Sequence, residues 1–252
     1  MDTGSDDAIP YCKRVVLKLS GEALKGSQTY GISPSVINNI AEEILQVHNR
    51  GVQLAIVIGG GNFFRGKDAN QLGIERTSAD YMGMMATIMN GIALQNVLEQ
   101  KKLSVRLVSA LEIKGVAEPF IAKKVCRHLA KGKVVIFAAG TGNPYFTTDT
   151  AAALRAIQIG ADLFLKGTMV DGVYADDPKK VKNPMKFDHL SYDDMIAKDL
   201  KVMDITAVTL CKANNLHIKI FNITQNGNII NAITNRNLGT SITSTRLTAA
   251  DV

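Results

Sequence analysis

Short apolar runs alternate with stretches of helical periodicity along nearly the whole chain, and any fold must satisfy that alternation. Residues 15–19 (VVLKL), 53–58 (QLAIVI), 105–108, 134–137 (VVIF), 162–167 (DLFLKG) and 217–221 are short and apolar enough to be strands buried on both faces. Between them, helical spacing recurs over 34–51, 77–99, 119–130, 150–159, 191–197, 205–214 and 227–234, and residues 240–245 suit a terminal strand. This pattern predicts an α/β fold with a mostly parallel central sheet sandwiched between helices. At 252 residues, one domain or two fused lobes both fit, and no internal repeat is present.

The chemistry-bearing residues gather where the strands end. Residues 134–150 read VVIFAAGTGNPYFTTDT. Gly140, Thr141, Gly142, Asn143 and Pro144 have the composition of a tight loop, and Thr147, Thr148, Asp149 and Thr150 stand where the next helix begins. A helix start offers free N–H groups and a favourable dipole to an anion. One of Thr148, Asp149 or Thr150 would suffice as a cap, but three hydroxyls with Gly, Asn and Pro exceed that need. The loop reads as one that handles phosphate. Lys18, inside an apolar strand that ends in Ser20-Gly21-Glu22, needs a route to solvent or an anionic partner. Sheets of this class place ligands at that end, and Lys166 repeats the placement.

Strand 53–58 runs into Gly59-Gly60-Gly61-Asn62-Phe63-Phe64-Arg65-Gly66. Its glycines allow a close backbone approach to a ligand, and the planar fork of Arg65 suits a phosphate. The dinucleotide pattern G-x-G-x-x-G fails at Phe64. The Walker pattern is nearly met by Gly61, Gly66 and Lys67, but Asp68 replaces the magnesium-binding hydroxyl and Gly73 interrupts the following helix. A P-loop is rejected. Residues 170–178 form a turn-rich acidic loop carrying Tyr174, and 179–186 a basic linker. Asp204 or Thr206 is the expected cap of the 205–214 helix.

Residues 77–99 are apolar on more than one stripe and are interrupted by Gly83 and Gly91, which points to a subunit contact. Asp80, near the start of that helix, is explained in its blandest form by the dipole. The net charge of +6 suits a binder of polyanions. The stripe of Lys123, Lys124, Arg127, His128, Lys131 and Lys133 reads as a solvated face, and no aromatic residues interleave with it as base-stacking surfaces would require. Three scattered cysteines argue for reduced thiols and a cytoplasmic location, and four unpaired histidines against a zinc site. No run approaches the ~20 apolar residues of a membrane span. Residues 1–14 lack the apolar core of a secretory signal and are expected to be disordered to about Ile9.

Lys18-Leu19-Ser20-Gly21-Glu22-Ala23-Leu24, the glycine loop 59–66, Ala79-Asp80-Tyr81-Met82-Gly83-Met84, residues 140–150 and Val170-Asp171-Gly172-Val173-Tyr174, in this order and spacing, resemble the bacterial uridylate kinases of the amino-acid-kinase family. The likeness runs from about residue 13 to 242. It implies a single three-layer αβα catalytic domain over 11–252 after an extension over 1–10, with the acceptor nucleotide mainly in the N-terminal part and ATP mainly in the C-terminal part. The implied reaction moves the γ-phosphoryl of ATP to UMP with magnesium, giving UDP and ADP.

By the same resemblance, Lys18 and Lys166 flank the transferring group and Asp149 orients them. Leu19, Ser20, Gly21, Gly61 and Arg65 meet ATP phosphates, while Thr168, Tyr174 and Asp177 lie on the adenosine side. Gly60 and Asp80 hold UMP, and Thr141, Gly142, Asn143, Pro144, Tyr145, Phe146, Thr147 and Thr148 wrap it. Gly26, Ser27, Gln28, Thr29, Tyr30 and Gly31 align with a loop tied to the GTP response. The family is hexameric, with GTP and UTP as effectors in many members. Ala139 stands where a glycine is usual, and Lys123 and Lys124 where arginines are common. A kinase for a carboxylate such as N-acetylglutamate or aspartate is the nearest rival within the fold, and a basic DNA-binding regulator the rival outside it.

Overall fold

The computed structural model describes residues 10–64, 72–176 and 180–244. The expected roles of Arg65 and Asp177, the near-Walker residues Gly66 to Asp68 and the extension up to Ile9 lie outside the described residues.

In chain order the strands are β1 (Arg14–Leu19), β2 (Gln53–Ile58), β3 (Val105–Ser109), β4 (Glu118–Pro119), β5 (Val134–Ala138), β6 (Leu163–Thr168), β7 (Val173–Tyr174), β8 (Lys186–Phe187), β9 (His189–Ser191), β10 (His217–Asn222) and β11 (Thr240–Thr243). Nine of them make one sheet in the order β4-β3-β5-β2-β1-β6-β10-β11-β9, and β7 pairs with β8 as a separate hairpin. Within the large sheet only β10 and β11 run antiparallel. The expected mostly parallel sheet is therefore present.

Alternation along each strand sorts the core into two layers. Val15, Leu17 and Leu19 pack with Leu54, Ile56, Leu107 and Ile136 beneath the helices Pro34–Asn49, Arg76–Gln100 and Asn228–Thr234. Val16, Ala55, Val57, Val135 and Phe164 face the helices Ala122–Ala130, Thr148–Ile159, Tyr192–Ala197 and Ile205–Ala213. Each such buried aliphatic side chain contributes about 1.5–3 kcal/mol. The result is the αβα sandwich that continuous apolar strands require.

Three boundaries differ from expectation, each for a physical reason. Residues 119–130 do not form one helix: Pro119 belongs to the edge strand β4, which tolerates a missing N–H, and the helix starts at Ala122. Gly83 and Gly91 do not interrupt Arg76–Gln100, which is continuous. Gly91 serves packing instead, since a Cβ there would sit 2.7 Å from Cδ1 of Leu107. The basic stretch after Lys179 is not wholly a linker, because Lys186 and Phe187 pair with β7.

Candidate active site

β1 and β6 are parallel neighbours in which Lys18 is the Cα partner of Lys166. Equal register and equal parity send both side chains to the face covered by Thr148–Ile159. Both are buried. Two ammoniums this close would repel strongly, and the first turn of that helix supplies the counter-charge. Oδ1 of Asp149 lies 3.0 Å from Nζ of Lys18, and its other oxygen accepts a hydrogen bond from Lys166.

Burial pushes the Asp149 carboxyl upward, but the two ammoniums and their hydrogen bonds outweigh it and hold its pKa below the usual carboxylate range. Burial also pushes Lys166 below the ordinary lysine value, reinforced by Lys18 and opposed by Asp149. The trio carries a net charge of +1. A buried excess cation at the end of two parallel strands favours the arrival of an anion.

The helix cap is Thr147, one residue before the expected candidates: its hydroxyl accepts the N–H groups of Asp149 at 3.1 Å and Thr150 at 3.2 Å. Capping by Thr147 leaves Asp149 and Thr150 free for other partners. Thr150 donates to Oδ1 of Asp204 at 2.8 Å, and Thr147 donates to the other oxygen of the same carboxylate. Asp204 also caps Ile205–Ala213, as the sequence suggested. Its grip on the 140–150 segment was not foreseen.

Cavities open on both sides of this helix start. One of about 150 Å³ is lined by Gly60, Asp80, Thr87, Thr141, Phe146 and Thr148. Another of about 440 Å³ is lined by Thr147, Asp149, Met195, Asp199, Lys201 and Asp204. A third, about 470 Å³, is bordered by Val170, Gly172, Tyr174, Lys198, Leu200 and Val202, so that Leu200 and Val202 edge both large cavities. The Tyr174 hydroxyl donates to Oδ1 of Asp171 at 2.5 Å, and Lys186 lies 3.1 Å from the other oxygen. Thr168 spends its hydroxyl locally, donating to the Val170 carbonyl and accepting the Val170 N–H.

Two of the glycines also serve internal packing. A Cβ on Gly60 would lie 2.7 Å from the Gly83 carbonyl, and one on Gly21 would lie 2.7 Å from the Gly61 nitrogen. Both positions let protein segments approach each other. Leu19 lies wholly in the core, with its carbonyl accepting the Gly59 N–H. Ser20 precedes Gly21–Leu24 without capping it through its side chain.

In the 140–148 loop, Thr141 exchanges hydrogen bonds with the Asn143 backbone, while Tyr145 and Phe146 are exposed. Ala139 adopts φ +61°, the left-handed region where glycine is at ease, and its N–H donates to the Thr87 hydroxyl at 2.7 Å. Asp80 is not a first-turn acid: it lies a full turn into its helix and accepts the Tyr145 N–H. The 26–31 loop touches the glycine loop twice, through an edge-on contact of Tyr30 with Phe63 and through hydrogen bonds between Gly31 and Asn62. Asn62 and Asn90 exchange side-chain hydrogen bonds, and Asn90 also donates to the Gly59 carbonyl at 2.7 Å.

A third buried lysine lies on the opposite face of the sheet. Nζ of Lys219 donates to the carbonyls of Asn235 at 2.8 Å and Arg236 at 3.1 Å, and sits 5.0 Å from the Tyr11 ring. Burial, partly offset by Cys12 and reinforced by Arg236, lowers its pKa to about 8.

Comparison with known proteins gives a consistent result. The sequence model of the amino acid kinase family matches residues 13–222. Uridylate kinase of Limosilactobacillus reuteri (strain DSM 20016) is 52% identical over 231 residues, which are 91% of this chain and 96% of that one. The crystal structure of UMP kinase from Bacillus anthracis superposes with a TM-score of 0.91 at 37% identity, covering 94% of this chain and 98% of that chain. That of UMP kinase from Ureaplasma parvum gives 0.88 at 38% identity, covering 92% and 98%. The chain belongs to the amino acid kinase family, among its uridylate kinases.

Proposed function

We propose that this chain transfers the γ-phosphoryl group of ATP to the α-phosphate of UMP, giving ADP and UDP. The observation that carries the reading is the Lys18–Asp149–Lys166 trio, net positive and buried, at a helix start flanked by cavities. UMP already presents an anionic oxygen as nucleophile, so little is asked of a general base. The barrier lies in bringing two polyanions into line, and positioning with fixed positive charge lowers it. Lys18 and Lys166 stand on either side of the transferring group, and Asp149 keeps their tips apart and aimed.

The smaller cavity, with Gly60, Asp80 and the 140–148 loop, takes UMP. Asp80 meets its ribose, and the loop wraps its base and phosphate. The larger cavities take ATP, with Thr168 and Tyr174 on the adenosine side and the backbone N–H groups of Ser20, Gly21 and Gly61 toward its phosphates. Magnesium enters as the ATP complex: a single carboxylate already holding two lysines fits an ion carried by phosphate oxygens. The tight joint between the 26–31 loop and the glycine loop supports a route by which GTP or UTP alters phosphate binding.

Tyr81, Met82, Met85, Met89 and Ile92 form an exposed apolar stripe on Arg76–Gln100, which supports packing against a second copy within a hexamer. Among the described residues no helix is long and apolar enough to cross a membrane, and the three cysteines, none in a disulfide, suit work in the cytoplasm. ADP release measured in parallel with UMP, CMP and N-acetylglutamate, with and without GTP and UTP, tests the reading. Turnover is expected with UMP, and a faster reaction with N-acetylglutamate would overturn it.

A further inference from the structure

The helix Arg76–Gln100 begins against two local preferences. Arg76 is its first residue, where a cation opposes the dipole, and no acid stands in the first turn. Asp80 follows four residues later, the less favourable order for a helical ion pair. Across the smaller cavity, Tyr145 adopts φ +71°, a region that bulky side chains rarely occupy.

All three departures meet at one contact. Oδ2 of Asp80 accepts Nε–H of Arg76 at 2.9 Å and the backbone N–H of Tyr145 at 2.7 Å. The Arg76 guanidinium carbon lies 5.3 Å from the centre of the Tyr145 ring. Local rules broken together at one point mark positions held for function rather than for folding. Oδ1 of Asp80 accepts no hydrogen bond from the described residues, and Asp80 lines the cavity. One oxygen of the carboxylate is thus committed to the protein, and the other is left for a ligand.

We propose that Arg76 is a positioning residue for the acceptor nucleotide. It fixes the Asp80 carboxylate and, through the Tyr145 ring, fastens the 140–148 loop across the cavity as a clasp. The inference rests on the reading that this cavity takes UMP.

Calorimetric titration with UMP alone, paired with steady-state kinetics, tests it. The Arg76 side chain is 60% exposed, so Arg76→Gln is expected to fold as the parent does, which a melting curve checks. It should weaken UMP binding and raise KM for UMP about fivefold, with KM for ATP and kcat at saturating UMP unchanged. Tyr145→Leu should raise KM for UMP less, and the double variant should add little to Arg76→Gln because both remove one contact. Arg76→Lys should recover only part of the loss, lacking the planar fork. Unchanged or tighter UMP binding in Arg76→Gln, or an equal loss of ATP affinity, would overturn the clasp. Failure of the parent chain to bind UMP would instead overturn the acceptor reading.

Discussion

Lys18 and Lys166 on one side of the sheet and Lys219 on the other are all buried within apolar strands, and burial alone does not tell them apart. Their surroundings do. Lys18 and Lys166 share a carboxylate that lines an open cavity. Lys219, one register position before Lys166, is bonded to two backbone carbonyls past the end of a helix and is covered by Tyr11. The first arrangement leaves positive charge in excess behind a carboxylate that faces a cavity. The second spends its charge on holding a helix end in place. Burial of a lysine is thus not a sign of catalysis until its partner and its access are known.

Removing the shared carboxylate should break the contrast most severely. Asp149→Asn leaves two adjacent buried ammoniums without a counter-charge, with an expected cost of about 3–5 kcal/mol in chemical denaturation together with loss of turnover. Next, Lys18→Ala and Lys166→Ala should each remove about 2–4 kcal/mol of transition-state stabilisation, measured as kcat with ATP and UMP. Near-normal kcat in both variants would end the assignment. Lys219→Met strips two carbonyls of their donor and should lower stability by about 1–3 kcal/mol with kcat unchanged. A fall in kcat matching that of Lys166→Ala would erase the distinction.

The smallest and sharpest test is in the pH dependence. Lys166 loses its proton below the ordinary lysine value of 10.5, so the alkaline limb of kcat/KM for ATP should fall before that pH. In that window the unfolded chain binds more protons, so the contribution of Lys166 to stability rises with pH while activity falls. Lys219 has the same sign between about 8 and 10.5, but without any link to activity. Stability curves of Lys219→Met should therefore decline more steeply than those of the parent above about pH 8, with the kcat/KM limb unmoved.

The strands and the buried pair Lys18 and Lys166 were legible in the sequence because both follow from local pattern: apolar runs, glycine-rich ends and an unexpected charge. Partners far apart along the chain were not. Thr87 meets Ala139 across 52 positions, Thr150 meets Asp204 across 54, and Asp80 meets Tyr145 across 65. Arg76 was passed over because its neighbours in sequence give it no purpose. Pro119 misled for the opposite reason: proline often opens helices, and only an edge position in the sheet explains it as strand. Glycines raised a similar ambiguity, since close approach to a nucleotide and close approach between two protein segments call for the same residue. Gly60 and Gly91 show the second use.

The pairing of Lys18 with Lys166 has a further consequence for how the chain finds its alignment. Sliding β1 by a single position against β6 would swing one ammonium into the oily layer on the far side and strand it there without Asp149. The charges that suit the site to polyanions therefore act as a checkpoint during folding, penalising mispaired arrangements that apolar strands alone would tolerate. Single-residue insertions between Arg14 and Lys18 should on this account be poorly tolerated even when every inserted side chain is apolar.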